Sequence, residues 1–246
     1  MANELDDIEL TEILFLKKLF SSAFSVIFLV NVRNQQCIMK VHHGRGPRRY
    51  YEPENRELDI HVLESTAYTR LKERGLCDRG IVPNYLGAVR KFDPSLCQPH
   101  LKDFLNDEYL PSAIFLEYIV GLEMISLDIY TQERMDNFVA GIRQIHKAFV
   151  RHRDPKPRNM MVVKDTPDRV VWLDFDRAET YDEEGITSEQ ARLIEEEQEI
   201  VTGFKICLVS APTTEKSIAA SYPKSHQQES DYAKGKLDEA YNFYCT

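Results

Sequence analysis

The chain has 246 residues, 43% of them hydrophobic, enough to build the core of one large domain or of two small lobes. Its 31 basic and 40 acidic residues leave a formal net charge of -9, so non-specific attachment to nucleic acid or to an anionic membrane has no overall electrostatic support. Five scattered cysteines without a CxxC pair, and an acidic start without a signal-peptide pattern, lead us to expect reduced thiols and a cytoplasmic protein.

The first third reads as a three-strand meander: LFLKKLF at residues 14–20, SVIFLVNV at 25–32, a polar turn, and CIMKV at 37–41. The most apolar run, residues 24–32, is too short to cross a bilayer, and Lys17 and Lys18 block its extension backward. The basic stretch HHGRGPRRYY is expected to be a solvated loop. Over residues 55–73 the pattern becomes helical, with Ile60, Leu63, Ala67 and Leu71 on one stripe, Asn55 as N-cap and Gly75 as the stop. Glu64 lies on that stripe. A carboxylate facing a core is costly unless a cation meets it, so Glu64 predicts a buried partner.

Residues 81–89 and the run AIFLEYI at 113–119 are expected to be extended. Met135, Phe138, Val139, Ile142, Ile145 and Phe149 recur at helical spacing over residues 131–149, which makes His146 a packed structural histidine. The stretch RHRDPKPRN follows at 151–159, then MMVV and VVWLDF, read as a strand hairpin with polar groups at its ends. Residues 188–208 suit an acidic amphipathic helix, and 210–230 a polar, loosely ordered stretch.

Phosphoryl transfer needs a divalent metal held by hard oxygens, a cation on the phosphates, and an acceptor for the hydroxyl proton. Asp154, Asn159 and Asp174 carry such oxygens, and Lys156 stands two residues from Asp154. The motif HRDPKPRN resembles the catalytic loop H-R-D-x-x-x-x-N of protein kinases, and LDFD resembles their metal-binding D-F-G with Asp176 for the glycine. Ile38-Met39-Lys40 is similar to the strand-end V-A-I-K, and LEYI to the hinge between kinase lobes. The arrangement is similar to kinase-like proteins of fungi with a shortened C-lobe.

The resemblance implies an α+β, bilobal protein-kinase-like fold. Its antiparallel-sheet N-lobe would span residues 1–119, a mostly helical, truncated C-lobe 120–209, and a polar tail 210–246. It implies ATP and Mg²⁺ as cofactors and a hydroxyl-bearing acceptor, protein or small molecule, with no nucleic-acid or membrane partner. Asp154 would orient or deprotonate the hydroxyl, Asn159 and Asp174 hold Mg²⁺, and Lys40 and Lys156 offset phosphate charge. Glu64 would fix Lys40, in preference to Glu57 two turns earlier on the helix. Glu117 through its carbonyl and Ile119 through its amide would bind adenine, with Val26 also at the nucleotide.

Three departures mark the chain off from a conventional protein kinase. Ser21-Ser22-Ala23-Phe24-Ser25 stands where a glycine-rich phosphate loop belongs, which removes the backbone freedom glycine gives. Asp176 adds a charge beside the metal ligand and is expected to face solvent. No A-P-E element follows, since Ala211-Pro212 sits in unlike surroundings, and the chain beyond Asp174 is short. Arg151, Arg153 and Arg158 give the loop cationic surroundings that suit phosphate chemistry; the alternative reading is that Arg153 braces the loop and that Arg151 or Arg158 is solvated. The competing readings are a pseudokinase interaction module and a small-molecule kinase of the aminoglycoside or choline type.

Overall fold

The apolar runs of the first third fold as a meander in the computed structural model, which describes residues 4–54, 56–126 and 128–210, with backbone alone at 167 and 206–210. The first strands are β1 (Ile13–Ser21), β2 (Ser25–Val32) and β3 (Gln35–His42). Arg33 and Asn34 make the two-residue turn between β2 and β3, both at positive φ, 50° and 65°, as the twist of a tight hairpin requires. Helix α1 (Ile60–Glu73) and strands β4 (Tyr85–Val89) and β5 (Ser112–Glu117) complete an antiparallel five-stranded sheet in the order β1-β2-β3-β5-β4.

Register sets the two faces of this sheet. Ile27 stands opposite Lys40, and Lys40 opposite Ile114, so these residues share one face with Ile38 and Leu116. Val26, Phe28, Met39, Val41 and Phe115 share the other, covered by Phe92, Cys97, Leu101 and Phe104 from the segment between β4 and β5. The first face packs on Ala67, Tyr68 and Leu71 of α1, and its apolar cluster continues into the second half of the chain.

Helix α1 starts later than expected. Asp59 caps it, its carboxylate accepting from the amides of His61 at 3.0 Å and Val62 at 3.4 Å; Asn55 lies outside the described residues. The buried stripe is His61, Glu64, Ala67, Tyr68 and Leu71, one residue round from the expected one, and Ile60 and Leu63 are only partly covered. Gly75 at φ 72° ends the helix, with the Leu76 amide returning to the Leu71 carbonyl at 2.9 Å.

The second half holds β6 (Leu122–Met124), α2 (Gln132–Lys147), β7 (Val150–Arg151), β8 (Met160–Val163), β9 (Thr166–Trp172), β10 (Glu179–Thr180) and α3 (Ser188–Ser210). Strands β6, β8 and β9 form one small antiparallel sheet, and β7 pairs with β10. The Thr131 hydroxyl caps α2 by accepting from the Arg134 amide at 3.1 Å. Trp172 is fully buried at the centre, its Nε1 donating to the Phe138 carbonyl at 3.1 Å. A Cβ at Gly141 would come within 3.1 Å of that indole, so α2 approaches β9 this closely because it has glycine there.

The protein is thus mixed α+β, with a five-stranded antiparallel sheet and three α-helices among the described residues. None of those helices is long and apolar enough to cross a membrane. Cys37, Cys77 and Cys97 are free and buried. The polar stretch expected from residue 210 onward lies, beyond the end of α3, outside the described residues.

Candidate functional site

Of the polar residues singled out in the sequence, Lys40, Glu64 and Asp174 gather where β3, α1 and the start of the segment after β9 meet. Lys40 points from β3 onto the α1 face, fully buried, with Nζ 2.9 Å from Glu64 Oε2 and 2.6 Å from Asp174 Oδ1. Glu64 has the buried cation its place on the stripe demanded. Burial works against both charges, yet Asp174 and Glu64 hold the Lys40 ammonium well above its ordinary range, and Lys40 with His42 pulls the Glu64 carboxyl down to about 2. Glu57 lies ahead of α1, exposed, and accepts from the amides of Leu58 and Asp59 instead.

The loop from His152 to Asn159 is tied to Leu173, the neighbour of Asp174, by one side-chain and one backbone hydrogen bond. His152 Nε2 donates to the Leu173 carbonyl at 2.8 Å, and the Leu173 amide donates to the Asn159 carbonyl at 3.1 Å. With Nε2 carrying the proton, Nδ1 accepts from the Asp154 amide at 3.4 Å. Phe175 packs between Tyr68 of α1 and His152, at ring distances of 5.1 and 4.6 Å. Arg153 at φ 67° and Asp174 at φ 62° both hold left-handed backbone, a strained state for residues with a Cβ that persists where surrounding contacts enforce it.

Those contacts include Glu197 of α3, which sequence reasoning missed. It is buried and accepts from the His152 amide at 2.8 Å, the Arg153 amide at 2.6 Å and His146 Nε2 at 2.8 Å. Burial opposes the charge, but His146 and His152 hold the Glu197 carboxyl below its usual range. His146 is accordingly the packed structural residue expected. Arg153 braces the loop against the Arg177 carbonyl and Glu179, both at 3.5 Å.

Asp154 is buried, and its carboxylate is crowded by cations: Lys156 Nζ lies 3.1 Å from Oδ1, and Arg158 Nη2 2.7 Å from Oδ2. Asn159 Nδ2 also reaches Oδ2, at 3.2 Å, and the Asp154 carbonyl at 2.8 Å. Burial pushes the other way, but Arg158 and Lys156 keep the Asp154 carboxyl below its ordinary range. Of the two readings open for Arg158, solvated or part of the loop's cationic surroundings, the second holds, because a guanidinium four residues on in this tight loop falls beside the carboxylate. Arg151 is likewise paired, with Glu179 at 3.4 Å.

Two further expectations fail. Asp176 is buried rather than facing solvent; burial and the neighbouring Asp174 charge push its carboxyl up to about 7. Val26 packs on the opposite face of the sheet from Lys40, since strand side chains alternate and Ile27 takes the position across from the lysine. Glu117 and Ile119 lie at the end of β5, with Glu117 three residues along from the Lys40 pairing, roughly 10 Å at ~3.3 Å per residue. The Glu117 amide donates to the Asn84 carbonyl at 2.8 Å, and Ile119 is buried in the main cluster.

Asn159 and Asp174 each offer an oxygen of the hard type that Mg²⁺ takes. Asn159 spends its Nδ2 on Asp154 and Asp174 spends Oδ1 on Lys40, which leaves an amide oxygen and a carboxylate oxygen, both hard donors. Among the described residues no cluster of three or more His, Cys, Asp or Glu is placed to hold a metal ion. Two protein oxygens need the rest of the coordination from phosphate and water, the usual arrangement for Mg²⁺ on a nucleotide.

Behind Glu64 lies a histidine pair. His42 Nε2 is 2.8 Å from Glu64 Oε2, and the His42 and His61 rings meet at 5.6 Å. Neither His61 nitrogen has a hydrogen-bond partner, and burial, then His42, push its pKa down to about 3. The unfolded chain takes up a proton below about 6.5 where the folded one does not. The His61 contribution to stability is therefore complete above that pH and is lost as pH falls toward 3. Chemical unfolding at pH 7 and pH 5 should show a drop about 2 kcal/mol smaller in His61→Leu than in the parent; equal drops would place the proton elsewhere.

The chain matches no known protein-family model and no curated protein.

Proposed function

We propose that the protein is a Mg²⁺- and ATP-dependent phosphotransferase with a bilobal, protein-kinase-like fold. The observation that carries this reading is the buried Lys40–Glu64–Asp174 ion pairing held against a loop that presents Asp154 and Asn159. These groups come from residues 40 to 174, and burying five charged or polar side chains has little value for stability alone. A nucleotide triphosphate gives the cluster a purpose.

Lys40, fixed by Glu64, meets the α- and β-phosphates, and the Glu117 carbonyl and Ile119 amide meet the base. Asn159 and Asp174 would hold Mg²⁺, which would supply charge screening for the phosphates. The acceptor hydroxyl oxygen bonds to the γ-phosphorus while the bond to the β–γ bridging oxygen breaks and ADP departs. The hydroxyl proton goes to Asp154, and Lys156 offsets charge on the moving group. In an ADP-formation assay with Mg·ATP, Asp154→Asn should lose at least about a hundredfold in rate. An unchanged rate would remove Asp154 from the chemistry.

One observation favours a second reading, a kinase-shaped module that turns over no nucleotide. In the glycine-free turn between β1 and β2, Ser22 Oγ accepts from the amides of Phe24 at 3.1 Å and Ser25 at 3.0 Å. Those two amides are occupied by the turn itself, where a phosphate-binding loop would keep them open. Ser22→Gly frees them and should tighten Mg·ATP binding if the phosphates lie there; no change would support the silent module.

A further inference from the structure

Resting on the phosphotransferase reading, the crowding of Asp154 points to its acceptor. The Asp154 carboxylate carries one negative charge and faces two positive ones, Lys156 on Oδ1 and Arg158 on Oδ2. The excess positive charge is accessible: the Lys156 side chain is 54% exposed and that of Arg158 29%. In a chain of net charge -9, a cationic surplus at the reacting carboxylate is a local feature that runs against the whole.

Oδ2 is also the more crowded oxygen, taking Arg158 Nη2 at 2.7 Å, Arg158 Nε at 3.2 Å and Asn159 Nδ2 at 3.2 Å. A hydroxyl must come within about 3 Å of this carboxylate to hand over its proton. A neutral acceptor offers the guanidinium nothing in exchange for the carboxylate it would give up. An acceptor with an anion beside its hydroxyl offers a bidentate partner of the same kind, so Arg158 can turn from Asp154 to the acceptor and open Oδ2 as it does so.

We propose that the acceptor is a hydroxyl-bearing polypeptide segment with acidic neighbours, selected by Arg158. A polypeptide suits the site better than a small molecule because the two cations stand at an open surface, where a small ligand would not be enclosed. Arg158 is thereby both the selector of the acceptor and the group that keeps Asp154 engaged until it arrives.

The test uses two labelled peptides, a serine flanked on each side by two glutamates and the same serine flanked by glutamines. Binding to the full chain is read by fluorescence anisotropy without nucleotide. The acidic peptide should bind at least about tenfold more tightly, and Arg158→Ala, with its fold confirmed by circular dichroism, should reduce that preference below about threefold. Arg158→Glu should reverse it. Equal binding of the two peptides, or a preference that survives Arg158→Ala, overturns the proposal.

Phosphorylation of the same peptides with Mg·ATP separates this inference from the reading beneath it. Transfer to the glutamine peptide as fast as to the glutamate peptide leaves a phosphotransferase and overturns the acidic acceptor. Arg158-dependent binding of the acidic peptide with no ADP formed on any acceptor keeps the acidic partner and overturns the phosphotransferase.

Discussion

Replacing Lys40 with methionine is expected to cost about 3–5 kcal/mol of folding stability, the size seen when one member of a buried ion pair is removed. Lys40 is 1% exposed and lies between Glu64 and Asp174, with the buried Asp176 adding to the negative field. Methionine fills much the same volume, so the loss comes from carboxylates left without a cation and not from a cavity. The double variant Lys40→Met, Glu64→Gln should recover part of the loss, because the glutamine removes one of the stranded charges. Denaturant midpoints for the two single variants and the double variant give the coupling directly. Additive losses would mean that the two side chains do not depend on one another.

Glu197→Ala should be nearly as damaging, about 2–6 kcal/mol, because it strands a buried backbone donor and a part-buried one at roughly 1–3 kcal/mol each. The His152 and Arg153 amides have Glu197 as their acceptor, and Arg153 is held at φ 67° next to Asp154. The variant should therefore expose those two amides to rapid hydrogen exchange and lower the proposed activity through a displaced Asp154, although Glu197 lies on α3 and not in the loop. Protection at His152 and Arg153 equal to the parent's would show that another group holds the loop.

The parts of the molecule readable from its letters are those whose signal is local. Short apolar runs bounded by polar turn residues marked the meander of β1, β2 and β3 and the hairpin of β8 and β9, as buried strands do. A charged residue on an apolar stripe marked Glu64, and its cation followed from the cost of burying it alone. The start of α1 was placed too early because its cap is Asp59, a residue as suited to capping as Asn55.

Glu197 escaped because it sits in the run EEEQE, which reads as a solvated acidic face. It shares a stripe with Val201, one turn on and fully buried, so the test that found Glu64 applies to it as well. Asp176 and Arg158 were harder, since each is placed by a loop whose course no periodicity describes. Val26 was wrong by a single residue, and in a strand a single residue is the whole distance between one face and the other.

The most direct test of a nucleotide site at Lys40 and Asp174 is thermal unfolding with millimolar Mg·ATP, in the parent and in Asp174→Ala. Ligand at a hundredfold over its Kd stabilises by about 2.7 kcal/mol, which in a chain of this length is a rise of several degrees in Tm. The account predicts that rise in the parent, a much smaller one with Mg²⁺ alone, and its loss in Asp174→Ala. No rise with Mg·ATP, or the same rise in Asp174→Ala, would contradict it.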